Sequence, residues 1–237
     1  VRSDAFAFTF AFAFTACPQT QTPDRVIGND GRMTKPIISY RQADPNWSTD
    51  VLGFSKPYVD DNGKQQPAST LGRKGCLVTS VAISTAMAAV AMSPRGVNEA
   101  ARKGGGFVAG TGSGRLPQMA ASVGLVAPEA LRVRDLDPSV PAEAARLRQV
   151  IDCSLADVDG FFVGGGFCII NVDHTGDDRP DHFLVIVGRK GNGWVAIDPA
   201  CGEVFIANDL TAEANWNGKP KHYVVLGAAP IGLQVRR

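Results

Sequence analysis

The stretch GCLVTSVAISTAMAAVAM, residues 75–92, decides how the rest of the chain is read. It is apolar nearly all round, rich in alanine, and bounded by Gly75 and Pro94. A run of that length and composition predicts a helix over 76–92. Because it has no polar stripe to turn towards water, the helix is expected to be central and buried. Cys76 would stand in its first turn, facing N–H groups that have no intrahelical acceptor and the positive end of the helix dipole. Both favour the thiolate, which is the reactive form. Gly75 in front of it permits a close backbone approach or a positive φ. The same position also suits a buried structural thiol, since cysteine packs as a small apolar side chain. Position alone leaves both readings open.

Outward from this helix, Ser93-Pro94 forms a cap with proline at the first helical position, and RGVNEAARK continues as a short helix ending at glycines. GRLPQMAASVG reads as a third short helix with Gly124 as its stop. Before Cys76, YVDDNGKQQPAST carries an Asn-Gly turn suited to the tip of a loop or a hairpin. ALRVRDL, residues 130–136, reads as a strand. SVPAEAARLRQVID, residues 139–152, reads as an amphipathic helix with Ala142, Leu147 and Val150 inward and Arg146 and Arg148 outward. The second half then changes period. FCIINV, HFLVIV, WVAI, EVFI and HYVVLG are short β-rich runs separated by turn residues. Helices first and strands later predict an α+β fold, and short connections predict an antiparallel sheet.

The composition narrows the function classes. The 237 residues are 44% apolar and 20% charged, an ordinary globular balance for one large domain or two small ones. With 24 basic and 23 acidic side chains the net charge is +1. That gives no electrostatic ground for nucleic acid or an anionic membrane as partner. The five cysteines, Cys17, Cys76, Cys153, Cys168 and Cys201, are odd in number and form no C-x-x-C, which argues against a disulfide framework or a structural zinc site. Leu155 occupies the first ligand position before Asp157 and Asp159, so LADVDG is no calcium loop. GTGSGR lacks the lysine of a phosphate-binding loop. No cofactor and no metal are expected.

At the N-terminus, Phe6, Phe8, Phe10, Phe12 and Phe14 alternate in a run too short to span a bilayer as a helix, so stable membrane insertion is not expected. Three readings compete: a secretory hydrophobic region behind Arg2, translated sequence upstream of the true start, or a strand of period 2. The signal-like reading favours a secreted or cell-envelope location. Residues 18–36 read as a linker, so 1–36 are taken as an extension and 37–237 as the domain.

A thiolate nucleophile needs a base, and only His174, His182 and His222 are available. His174 lies in a polar turn, and His222 opens the last strand as an edge or surface residue. His182 opens the apolar strand HFLVIVG, at a strand end beside a core. A third group must orient the imidazole. Asp198 ends the next strand, 16 residues on. If the two strands form a hairpin about GRKGNG, register decides. Pairing with an even total, such as 186 with 194, places 182 opposite 198 on one face; an odd total puts them on opposite faces. Asp181 and Asp173 are rivals for the same role. For an oxyanion, the backbone N–H of Cys76 is one donor, and Gln42 or Asn46 in YRQADPNW is a candidate for the other.

Three blocks together resemble the C39-like, papain-fold cysteine peptidases of bacteria and phages. SYRQADPNWSTDVLG is similar to that family's Tyr-x-Gln-x-Asp-x-x-Trp opening. GCLVTSVAISTAM is similar to its Gly-Cys-x-x-Thr-Ser helix start, and HFLVIVG followed by WVAIDPACG to its His-Phe-Val-Val-x-x-Gly and Ile-x-Asp-Pro. SPRGVNE and GGFCIINVD fit as well, and the likeness spans about residues 37–208. The resemblance implies a papain-like α+β fold, with a helical lobe carrying the nucleophile and an antiparallel sheet lobe. It implies Cys76 as nucleophile, His182 as base, Asp198 as orienting acid and Gln42 as the oxyanion-hole side chain. The implied activity is hydrolysis of amide bonds in a peptide or protein substrate through a thioester. The alternatives are acyl or peptidyl transfer on the same triad, or a non-catalytic binding module. Residues 1–36, the long segment between Gln42 and Cys76, and Cys201 fall outside the family's pattern. Cys201 reads as a bystander or a redox partner, and the oligomeric state is not encoded in any of these motifs.

Overall fold

The computed structural model describes residues 25–27, 33–36, 38–60, 62–126, 167–173, 182–190, 193–207, 213–216, 219–222 and 224–231. The phenylalanine run, Cys17, the segments 130–136 and 139–152, Cys153, Asp157, Asp159, His174 and Asp181 lie outside them.

Part of the stretch expected as linker is paired as two short antiparallel strands, β1 (Arg25–Ile27) and β2 (Met33–Pro36). The hairpin expected at Asn62-Gly63 is present as β3 (Tyr58–Val59) and β4 (Gln65–Gln66), with Gly63 at φ +75°. Next comes a one-turn helix that the sequence did not announce, α1 (Leu71–Lys74). Three backbone bonds from the preceding loop hold it: Leu71 N–H to the Asp50 carbonyl at 2.9 Å, Gly72 N–H to the Ser48 carbonyl at 2.8 Å, and Leu52 N–H to the Ser69 carbonyl at 2.9 Å.

The expected central helix is α2 (Cys76–Met87), buried continuously from Val78 to Ala86. It ends five residues before the predicted Met92. Ala89 turns left-handed at φ 62°, which lets the Val90 N–H reach back to the Thr85 carbonyl at 2.9 Å. The Thr85 hydroxyl then accepts the Met92 N–H at 3.1 Å. The helix end is thus closed by the αL arrangement that usually employs glycine. The two shorter helices match expectation. In α3 (Pro94–Lys103) the Ser93 hydroxyl caps the Gly96 N–H at 3.2 Å. In α4 (Leu116–Ser122) the chain leaves through Gly124 at φ +78°.

The sheet is antiparallel throughout, in the order β11-β5-β6-β7-β8. Its strands are β5 (Phe167–Asp173), β6 (His182–Lys190), β7 (Gly193–Asp198), β8 (Glu203–Ala207) and β11 (Val224–Ile231). A separate hairpin, β9 (Glu213–Trp216) with β10 (Lys219–His222), splits the expected last strand, so His222 closes β10 and Val224 opens β11.

One apolar cluster joins the helices to the sheet, with Val81, Ile83 and Val97 from the helices meeting Ile169, Val185 and Ile197 from the strands. The alternating residues Cys168, Ile170, Leu184, Ile186 and Ala196 are buried as well. Both faces of β5, β6 and β7 are therefore out of water, and such strands read as continuous apolar runs rather than alternating ones. The fold is α+β, with helices packed on an antiparallel sheet.

Candidate active site

The three chain-distant residues singled out by sequence, Cys76, His182 and Asp198, come together. Cys76 is the first residue of α2 and is partly exposed. Gly75 precedes it at φ −87°, so the positive-φ option does not apply. The other option does: a Cβ at Gly75 would overlap the Leu71 carbonyl oxygen and lie 2.8 Å from the Leu71 Cα. Glycine lets α1 and α2 meet without a spacer, so the thiol stands at the junction.

His182 opens β6 and Asp198 closes β7. His182 Nε2 lies 2.9 Å from Asp198 Oδ1, with the imidazole 12% exposed and the carboxylate 1%. Asp198 Oδ1 also accepts the Ala200 N–H at 2.7 Å, which fixes the carboxylate in the turn that follows. With Nε2 committed to Asp198, Nδ1 is the ring nitrogen left to face Cys76, which lies close enough to act on the imidazole. Burial pulls the imidazole pKa down. The Asp198 charge and hydrogen bond, with the hydrogen bond and coulombic pull of Cys76, outweigh it and push the pKa up from 6.5 to about 10.

The register behind this pair has two parts. Next to the turn, Gly188 pairs with Val195 and Arg189 with Trp194, an odd-total register. Continued to the strand ends, it would send 182 and 198 to opposite faces of the sheet. Between Ile186 and Gly188 the register shifts, and Ile186 then pairs with Ala196 and Val185 with Ile197. Val187 is the extra residue of a β-bulge. Beyond it the total is even, so His182 and Asp198 share a face as diagonal neighbours rather than directly opposed. Sequence reasoning had identified the parity condition but not the bulge that meets it. The isolated Gly188 within an apolar strand is the signal that marks it.

Gln42 is the third expectation, and it is buried at 4% exposure. Its N–H donates to the Pro199 carbonyl at 2.7 Å, one residue past Asp198. Its side-chain Nε2 donates to the Gly72 carbonyl at 3.3 Å, four residues before Cys76. Gln42 therefore ties the turn after β7 to the helix pair that carries the thiol. This bond also fixes the amide orientation, because a flipped amide would set oxygen against oxygen. Among the described residues Gln42 Oε1 is buried with no hydrogen-bond partner, which ordinarily costs about 1–3 kcal/mol. The loop around Gln42 is braced by the Trp47 indole N–H on the Arg41 carbonyl at 2.9 Å and by an edge-to-face contact of Tyr40 with Trp47. Asn46, the other amide candidate, is exposed, and its backbone carbonyl accepts from the Arg95 guanidinium.

The rival carboxylate Asp173 ends β5, paired with Val224. Cys201 follows the Asp198 turn and is half-buried. Among the described residues no cluster of three His, Cys, Asp or Glu side chains is placed to hold a metal ion, and no helix is long and apolar enough to cross a membrane. Neither the scan against family models nor the search of curated proteins finds a match to this chain.

Proposed function

We propose that the protein is a cysteine-type peptidase of papain-like, C39-like architecture. The observation that carries this reading is the Asp198–His182 hydrogen bond with Cys76 beside the imidazole, assembled from a helix start and two strand ends. A carboxylate at 1% exposure stabilises imidazolium rather than neutral imidazole, and imidazolium is the natural partner of a thiolate.

In this mechanism the Cys76 sulfur attacks the amide carbonyl carbon. The developing oxyanion is met by the Cys76 N–H, which as a first helical residue has no intrahelical acceptor, and by the second Nε2 hydrogen of Gln42. His182 gives its Nδ1 proton to the leaving amine as the C–N bond breaks, and a thioester remains. Water then attacks the thioester while His182 takes up its proton. Acid release restores the pair, and Asp198 holds the ring in one orientation throughout.

Digestion of a proteome-derived peptide mixture, read by mass spectrometry, tests the reading. The wild type should generate new termini that Cys76→Ala does not, and iodoacetamide should label one thiol quickly at mildly acidic pH. Slow, equal labelling of every thiol with no new termini would sink the peptidase reading. Capture of an added amine in the product would replace hydrolysis by acyl transfer.

A further inference from the structure

We infer that this site, on the peptidase reading above, selects peptides with an acidic side chain close to the scissile bond, recognised by Arg73 and Lys74. Both residues are exposed in the last turn of α1. They precede Cys76 by three and two residues, so chain connectivity keeps their Cα atoms within about 11 and 8 Å of its own. Gly72, immediately before them, carries the carbonyl that anchors the Gln42 amide. The backbone that carries the two cations therefore runs from the residue that holds the proposed oxyanion side chain to the nucleophile.

Three carboxylates of the same region, Asp44, Asp50 and Asp60, are committed elsewhere. Residues 38–126 hold nine basic and five acidic side chains, although the whole chain is nearly balanced. Asp50 is paired with the Arg95 guanidinium at 2.7 and 3.1 Å. Asp60 closes its own turn, accepting the Asn62 and Lys64 N–H groups and the Gln66 amide. Asp44 accepts the Asn46 N–H and stands 3.9 Å from Arg41. Among the described residues no ion pair joins Arg73 or Lys74 to a carboxylate.

Lys74 instead holds its Nζ 6.0 Å from the Tyr58 ring centroid, at the outer limit of a cation–π contact. Tyr58 and Val59 are 37% and 62% exposed, so the hairpin beside this rim adds apolar surface to the positive charge. Unneutralised cations beside exposed apolar groups complement a peptide that is acidic at one position and apolar at a neighbour. Because the cations are solvated, the effect is modest and screened by salt.

Cleavage-site profiling of the full chain on a proteome-derived peptide library tests this. Asp and Glu should be enriched about two- to fivefold within about three residues of the cut, the reach of these side chains along an extended substrate. The enrichment should fade between 0.05 and 0.5 M salt, a change of roughly threefold in screening length. Arg73→Glu with Lys74→Glu should exchange it for Lys and Arg, and Arg73→Lys with Lys74→Arg should preserve it. Cleavage without charge preference, or a preference unmoved by the charge reversal, overturns this inference and leaves the peptidase reading intact. Absence of cleavage by the wild type, with Cys76 labelling no faster than the other thiols, removes both. If the charge-reversed variant does not fold, the wild type's salt dependence decides: an enrichment insensitive to salt rejects the cationic rim.

Discussion

Cys76 and the His182–Asp198 pair are held by constraints of different reach. Cys76 owes its place to its neighbours: a glycine that permits contact with Leu71, a helix that begins at that residue, and a preceding turn pinned to the loop at Ser48 and Asp50. His182 and Asp198 owe theirs to the alignment of two whole strands, which one residue, Val187, corrects midway. A local constraint fails gradually when it is perturbed. An alignment fails by parity, because a one-residue slip turns every side chain to the other face. The helix side of the site should therefore tolerate substitutions that the hairpin side does not.

The sharpest way to break that contrast is to insert one alanine between Leu184 and Val185. With the pairs Val185–Ile197 and Ile186–Ala196 held, the insertion slips the strand end by one residue and sets the imidazole and carboxylate on opposite faces. On the peptidase reading, kcat/KM should fall at least as far as in Asp198→Asn, about 10⁴-fold. The His182 titration, followed by NMR, should leave its position near 10 and move down towards the ordinary range, since burial remains while the Asp198 charge is lost. Val187→Ala keeps the residue count and should keep both. An insertion variant with wild-type activity would show that the strands can realign and that register does not set the pair.

Gln42 spans both regions, so its loss should be intermediate. Gln42→Ala removes one proposed oxyanion donor, and kcat should drop about 10²- to 10³-fold with KM little changed. Gln42→Glu keeps the shape but removes the donors, and should be no better. Recovery of activity in Gln42→Glu would reassign the side chain to packing.

The pH dependence of stability isolates the hairpin side. His182 has a folded pKa of about 10 against an ordinary value of 6.5, so the folded state binds its proton more tightly than the unfolded chain. The resulting stabilisation is fully present below pH 6.5 and is lost as the pH rises to about 10. Urea midpoints of the wild type and His182→Gln should differ most at the acidic end of that window and converge at its alkaline end. A gap that widens with pH would mean that the imidazole is neutral when folded.

The same contrast explains what could be read from residues alone. The helix starting at Cys76, the cap at Ser93, the stop at Gly124 and the hairpin at Asn62-Gly63 all rest on interactions within a few positions, and sequence reports these directly. The five-stranded sheet was legible as a set of apolar runs, but its pairing was not, because both faces of β5, β6 and β7 are buried and no polar alternation marks their register. The relay residues could be chosen by chemistry, as the right residue types at strand ends, yet their meeting depends on a bulge signalled only by Gly188. The Gln42 bonds to Pro199 and Gly72 join segments 157 and 30 residues apart, and no local pattern announces contacts of that span. The helix end was misplaced for a related reason. Alanine is a strong helix former, so propensity carried the prediction past Met87. The Thr85 hydroxyl and the Met92 N–H, seven residues apart, close the end instead.

That helix end provides the mildest test. Ala89 holds φ 62° with a side chain, a conformation that costs roughly 1–2 kcal/mol for a residue with a Cβ and little for glycine. Ala89→Gly removes that strain but gives the unfolded chain more freedom, at about 0.5–1 kcal/mol. The net gain should be about 0.5–1 kcal/mol in urea unfolding. The substitution lies at the end of α2 opposite Cys76, with the buried run Val78–Ala86 between them. The labelling rate of Cys76 should therefore stay at the wild-type value. A rate that moved with the stability would mean that strain stored at the far end of the helix reaches the thiol, and the nucleophile could then no longer be treated as locally held.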